Sequence, residues 1–219
     1  MLSYGNIIDT AINEKIIVLH KTLTANPFPG FVESVPAYAS LTVFFDPVFI
    51  KHDQQQNISA FYFVKNCVAK LAAEINDISS EIEKRISIPV YYNGEDLEYV
   101  AGMHQLNTEE VIKIHTAVTY RVFMTGFLPG FAYMGTLDEK IITPRKDKPR
   151  LLVAAGSVGI AGAQTGIYPL DSPGGWQIVG TTPSKIFNKE KINPCLLNAG
   201  DSVQFISINK NDFEKLNEH

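Results

Sequence analysis

Gly126-Phe127-Leu128-Pro129-Gly130-Phe131-Ala132-Tyr133-Met134-Gly135 is the stretch on which the fold turns. It belongs to a series of short apolar runs, divided by Gly and Pro, that begins at Thr119. That pattern suits a closed or nearly closed β-barrel with long functional loops. Within 126–135, glycines and Pro129 surround aromatic and long apolar side chains. Such a segment either brings bare backbone close to a ligand, since Gly has no Cβ in the way, or makes tight turns whose rings plug the barrel.

Before this stretch, Ile88-Pro89-Val90-Tyr91-Tyr92 predicts a strand ending at the Asn93-Gly94 turn. Leu97, Val100 and Ala101 predict one or two helical turns. Thr108-Glu109-Glu110 predicts a further helix with Thr108 as N-cap, carrying Val111, Ile114, His115 and Val118. The texture changes near Ser87. Ahead of it, Asp9 is a candidate N-cap, and Ile12, Ile16, Leu19 and Leu23 form one apolar helical stripe that Pro27 and Pro29-Gly30 end. Phe31–Val35 and Ser40–Phe45 read as strands, with Asp46-Pro47 closing the second. After the polar break 53–57, a second helix is expected from Ser59 to Lys84, its inner face carrying Phe63, Val64, Cys67, Leu71, Ile75, Ile78 and Ile82. The chain therefore reads as α+β: a small α/β N-terminal domain over 1–87, with two helices on one face of a small sheet, then a β-barrel domain over 88–219.

Bulk properties set the class. Of 219 residues, 45% are apolar and 19% charged, enough for packed cores and unlike a disordered chain. Thirteen Phe and nine Tyr favour sheet. The net charge of −4 argues against a nucleic-acid footprint, and only 145–150 is locally basic. Neither a signal peptide nor a membrane span is expected. Cys67 and Cys195 lack paired spacing, and His20, His52, His104 and His219 form no ligand-like pattern, so no metal site is expected in this chain. A reduced, soluble cytoplasmic protein is the expectation.

Two further segments carry chemistry. Ala154–Pro169 places glycines at 156, 159, 162 and 166 among Ser157, Gln164 and Thr165. It is neither a Walker loop nor a dinucleotide fingerprint, but hydroxyl and amide groups among glycines can orient a small polar substrate. Asp171-Ser172-Pro173-Gly174-Gly175-Trp176 presents Ser172 and the chain's sole tryptophan.

Taken together, Phe127–Tyr133, Thr143-Pro144-Arg145, Gly156–Gly162, Gln164–Pro169 and Ser172–Trp176 resemble the 5-oxoprolinase B-subunit family. The same family includes allophanate hydrolase subunit 1, the kinase inhibitor KipI and part of the carboxyltransferase region of urea carboxylase. Val35-Pro36-Ala37-Tyr38 with Ser40-Leu41, and Ala199–Val203, extend the resemblance over nearly the whole chain. It implies a cyclophilin-like barrel, a sister barrel in the C subunit, a further partner in the A subunit, and ATP-dependent opening of the 5-oxoproline lactam to L-glutamate. A lactam carbonyl is a poor electrophile, so ATP is expected to phosphorylate its oxygen before water attacks. Mg²⁺ would accompany ATP within the assembly.

On that scheme His115, as proton shuttle, and Arg145 are the expected catalytic residues. Arg145 and Arg150 are candidates to clamp a carboxylate or phosphate, whereas Lys146 and Lys148 are expected in a solvated loop. Gln164, Thr165 and Ser172 would orient substrate, with Tyr133, Tyr168 and Trp176 as walls. Phe127, Pro129, Gly130, Ser157 and Gly174 complete the substrate-binding set. The chain departs from the family pattern at Ala154, usually proline, and at Thr181, usually an arginine able to make a bidentate anion contact. An extra strand with a Gly-Asp pair usually precedes the segment matching Leu2–Asn6, so this chain is expected to start late. The alternative within the family is a KipI-like inhibitor of a sensor histidine kinase, with no chemistry. Prolyl isomerase activity does not follow from a cyclophilin-like fold.

Overall fold

Asp9 starts the first helix as the sequence predicts, its carboxylate accepting from the Ile12 N–H at 2.8 Å. The computed structural model describes residues 1–53, 58–75 and 84–218, and the chain divides into two units, Met1–Ile82 and Glu83–His219. In the first unit, α1 (Thr10–Ala25) buries Ile16, Leu19 and Leu23. Strands β1 (Leu2–Ser3), β2 (Phe31–Pro36) and β3 (Ser40–Phe45) form an antiparallel sheet in the order β1-β3-β2. The Asn13 amide of α1 donates to the Ala37 and Tyr38 carbonyls, at 3.2 and 3.3 Å, and so holds the β2–β3 turn.

A helix that apolar periodicity does not announce, α2 (Pro47–Asp53), follows β3 directly. Its signal lies in the cap: the Asp46 carboxylate accepts from the Val48 and Phe49 N–H groups at 2.8 and 3.0 Å, and Pro47 takes the first helical position, where a missing N–H does no harm. In α3 (Ala60–Glu74) Ser59 is the N-cap. Val64 and Val68 are buried there, while Cys67 is half-buried. Ile78 and Ile82 of the expected inner face lie outside the described residues. One core joins Leu19 and Leu23 of α1, Leu41 of β3, Ile50 of α2 and Val64 of α3.

The second unit begins earlier than expected. β4 (Arg85–Val90) pairs in parallel with β12 (Ser202–Ser207) from Arg85↔Ser202 onward, so a boundary between 87 and 88 falls inside a strand. Arg85-Ile86-Ser87 has no apolar run to mark it; the ladder to a distant strand is what extends it. The remaining strands are β5 (Thr119–Thr125), β6 (Ala132–Gly135), β7 (Arg150–Val153), β8 (Ser157–Ala161), β9 (Gln164–Ile167), β10 (Ser172–Gly174) and β11 (Gln177–Thr181). Among the described residues, seven strands form one sheet in the order β11-β8-β9-β6-β5-β12-β4, and β7 with β10 makes a separate ribbon.

The large sheet curls until its edges meet. Tyr91 and Thr181 exchange both backbone hydrogen bonds, at 2.9 and 2.8 Å, and the Gly94 and Asp96 N–H groups donate to Val179 and Ile178. Edge pairing of this kind leaves few backbone groups open, which is what barrel closure achieves. Inside lie Val90, Tyr120, Val122, Met134, Ile160, Ile167, Val179 and Phe205. Asn93-Gly94 thus does not turn a hairpin; it carries the chain along the closing edge into α4 (Leu97–Met103). α4 and α5 (Thr108–Ala117) add Leu97, Val100 and Val111 to the same core. The α5 cap is Asn107, not Thr108: its side chain accepts from the Glu110 N–H and the Glu110 carboxylate accepts from the Asn107 N–H, a reciprocal box. A last helix, α6 (Lys210–Asn217), buries no residue and so has no apolar stripe to predict it. No described helix is long and apolar enough to cross a membrane.

Candidate functional site

A cleft of about 480 Å³ opens in the second unit, and its walls are rings. Phe131 meets Trp176 and Tyr168 edge-on, with centroids 5.4 and 5.2 Å apart, and is tilted against Tyr133 at 4.8 Å. Two glycines let these rings close up. A Cβ on Gly166 would stand 2.9 Å from the Ala132 carbonyl oxygen and 3.0 Å from the Trp176 ring, and one on Gly174 would run into the Tyr168 hydroxyl. These glycines of β9 and β10 therefore make room for protein rings. The 154–169 run is a β-hairpin rather than an open loop around a ligand.

Of the residues singled out in the sequence, Phe127, Tyr133, Arg145, Gln164, Tyr168, Gly174 and Trp176 line the cleft. Phe127 holds φ at 71°, a left-handed value that a residue with a Cβ adopts at a steric penalty, and its ring stands exposed at the cleft. Arg145 is exposed, and among the described residues its guanidinium has no hydrogen-bond or ion-pair partner. Its neighbours are fastened: the Gln177 amide donates to the Pro144 carbonyl at 2.9 Å, and the Lys146 N–H donates to the Gly175 carbonyl at 2.7 Å. Burial pushes the Tyr133 and Tyr168 phenols up; Arg145 partly offsets this at Tyr133, and the Trp176 backbone, then Arg145, at Tyr168. Both therefore stand as neutral hydroxyl donors near neutrality.

Other expected site residues lie elsewhere. His115 is fully buried and does not line the cleft. Its Nδ1 is 2.7 Å from the Tyr92 hydroxyl, its Nε2 is 2.9 Å from Thr165 Oγ1, and its ring stacks on Phe205 with centroids 4.7 Å apart. Burial lowers its pKa to about 3, so it is a neutral imidazole with both nitrogens occupied. Thr165, Ser157 and Ser172 are buried off the cleft, and Ser172 Oγ has no hydrogen-bond partner among the described residues. Pro129 is exposed in its loop away from the lining, and Gly130 faces the Phe187 side chain.

Arg150 is not a free clamp. Its Nε lies 2.6 Å from Glu95 Oε1, its Nη2 2.6 Å from Asp96 Oδ2, and its Nη1 donates to the Trp176 carbonyl at 3.2 Å. Lys146 is not merely solvated either; its ammonium lies 2.9 Å from Asp96 Oδ1. Asp96, which the sequence does not single out, anchors both of these cations. It sits just ahead of an apolar helical run, where an aspartate reads as a cap, yet it makes no side-chain cap bond. Its buried carboxylate instead accepts from Lys146, Arg150 and the Ile178 N–H. Burial pushes the Asp96 carboxyl up, and these donors outweigh burial, leaving its pKa below the ordinary value. Phe131, at the centre of the ring cluster, lies inside the 126–135 motif but is not among the expected binding residues.

Residues 1–197 match the family described as carboxyltransferase domain, subdomain C and D, and the chain belongs to that family. It is 45% identical over 223 aligned positions to the 5-oxoprolinase B subunit of Bacillus subtilis (strain 168), spanning all of this chain and 92% of that one. To the 5-oxoprolinase B subunit of Escherichia coli O157:H7 it is 39% identical over 182 positions, 81% of this chain and 78% of the relative. Among solved structures, TTHA0988 superposes with a TM-score of 0.80 at 34% identity and covers 95% of this chain, which spans only 39% of that longer chain.

Proposed function

We propose that this chain is the B subunit of an ATP-dependent 5-oxoprolinase, acting with the A and C subunits in the cytoplasm to open the 5-oxoproline lactam to L-glutamate. The observation that carries this reading is the unpartnered Arg145 guanidinium beside an aromatic cleft, in a chain whose full-length relative is named for that subunit. 5-Oxoproline is a small flat ring bearing one carboxylate. The carboxylate pairs with the Arg145 fork, the ring lies against Tyr133 and Trp176, and the Gln164 amide and the phenols address the lactam.

Among the described residues lining the cleft there is no carboxylate, imidazole, thiol or aliphatic hydroxyl. Apart from the Tyr133 and Tyr168 phenols, the described lining offers no general acid or base, and the reading assigns the main proton transfers to the rest of the assembly. This chain supplies recognition and orientation, and the site is completed by its partner. A nucleoside triphosphate with its metal does not fit the cleft's donor set. Among the described residues Arg145 is the one charged group lining it, the 154–169 glycines largely face protein atoms, and no described trio of His, Cys, Asp or Glu gathers as metal ligands. ATP and Mg²⁺ are accordingly assigned to the rest of the assembly.

The test is co-expression with the A and C subunits, followed by assay of 5-oxoproline-dependent ATP hydrolysis and glutamate release. Activity that needs all three proteins is the expected result. A well-formed complex without it overturns the lactamase reading and favours a KipI-like regulator.

A further inference from the structure

Resting on the reading of the cleft as the substrate site, we propose that Asp96 is a positioning residue that aims Arg145 and seats Trp176 without touching substrate. Arg145 lies between two fixed neighbours and bears no partner of its own among the described residues. Its neighbour Lys146 is held through its ammonium by Asp96 Oδ1 at 2.9 Å. Arg150, at the other end of the same segment, is held by both Asp96 oxygens at 2.7 and 2.6 Å. The same Arg150 donates to the Trp176 carbonyl, and Asp96 Oδ2 accepts from the Ile178 N–H at 2.7 Å, two residues beyond that ring. One buried carboxylate thus ties the basic segment to the 176–178 stretch, where the cleft's tryptophan leads into β11.

The charge arithmetic supports a positioning part. Asp96 and Glu95 occupy Lys146 and Arg150, so neither cation competes for a ligand, and among the described residues Arg145 is the one guanidinium presented at the cleft. Orientation of this kind matters because a misplaced contact weakens recognition far more than its loss of energy at a flexible surface would.

Trp176 is the chain's sole tryptophan and lines the cleft, so its fluorescence reports the site directly. Iodide gathers at an unpaired guanidinium and acrylamide does not, so their quenching ratio measures how well Arg145 faces the ring. Arg145→Ala is expected to lower that ratio and Asp96→Asn to lower it to the same level, with nothing further lost in the double variant. In the assembled enzyme Asp96→Asn is expected to raise KM for 5-oxoproline about tenfold or more while kcat changes less. Lys146→Met, which cuts a single tether, covers the case in which Asp96→Asn does not fold, and is expected to lower the ratio part way. A wild-type ratio in Asp96→Asn, or in Lys146→Met, overturns the proposal, as does a ratio that Arg145→Ala leaves unchanged. If 5-oxoproline neither binds nor turns over but the ratios fall as described, the substrate reading fails and the positioning role stands.

Discussion

His115 Nε2 lies 2.9 Å from Thr165 Oγ1, and the Thr165 hydroxyl donates in turn to the Gly159 carbonyl at 3.1 Å. The single Thr165 proton is therefore committed to Gly159, which leaves His115 Nε2 as a donor and Nδ1 as the acceptor of the Tyr92 hydroxyl. The chain of donors ends on a carbonyl inside the barrel, and every member is satisfied.

This arrangement has a pH signature. The folded pKa of His115 is depressed from 6.5 to about 3, so the unfolded chain takes up the proton first as pH falls. Stability from this group is complete above about pH 6.5 and declines by about 1.4 kcal/mol per pH unit down to the folded value. Urea unfolding from pH 7 to pH 4 should show a slope shallower by up to one proton in His115→Gln than in the wild type. Parallel slopes would contradict the buried neutral imidazole. At pH 7 the same variant should lose roughly 1–3 kcal/mol, with any fall in activity following the folded fraction.

Arg145 should carry most of the affinity for a small carboxylate. Removing a charge-assisted hydrogen-bonding partner loses about 1.5–3 kcal/mol, so Arg145→Ala should bind 5-oxoproline about 10- to 100-fold more weakly in a Trp176 fluorescence titration. Arg145→Lys should recover only part of this, because an ammonium cannot reproduce the fork. Equal affinity in wild type and Arg145→Ala would place the carboxylate elsewhere.

Gly174 and Gly102 should respond oppositely to alanine. At Gly174 the new methyl meets the Tyr168 hydroxyl, and overpacking there should destabilise by about 1–3 kcal/mol. At Gly102, within α4, a Cβ meets nothing within 4 Å, and alanine's helix preference should stabilise by roughly 0.5–1 kcal/mol. Thermal melts of the two variants decide whether close approach, rather than backbone freedom, keeps Gly174.

The α5 cap is testable in the same way. Asn107→Ala removes the acceptor for the Glu110 N–H and should lower stability by about 1 kcal/mol, whereas Thr108→Ala should change it little. The reverse ranking would restore Thr108 as the cap.

Whatever depends on neighbours three or four residues apart could be read from the chain alone. The stripe Ile12, Ile16, Leu19, Leu23 and the cap at Asp9 are local, as is the helix start at Ser59, and α1 and the start of α3 follow them. The alternation of short apolar runs with Gly and Pro likewise announced the barrel strands, and the motif blocks delivered most of the cleft's lining. Nothing local distinguished Arg145 from Arg150, two basic residues in one segment. They differ because Asp96, 54 residues before Arg150 in the chain, is folded against the second and not the first. Nor could spacing show that β4 pairs in parallel with β12, that His115 points into the core, or that Gly166 and Gly174 face rings rather than a ligand. Those outcomes belong to the tertiary structure, because a charge, a glycine or an imidazole takes its role from whatever distant atoms the packed chain brings within a few ångströms of it.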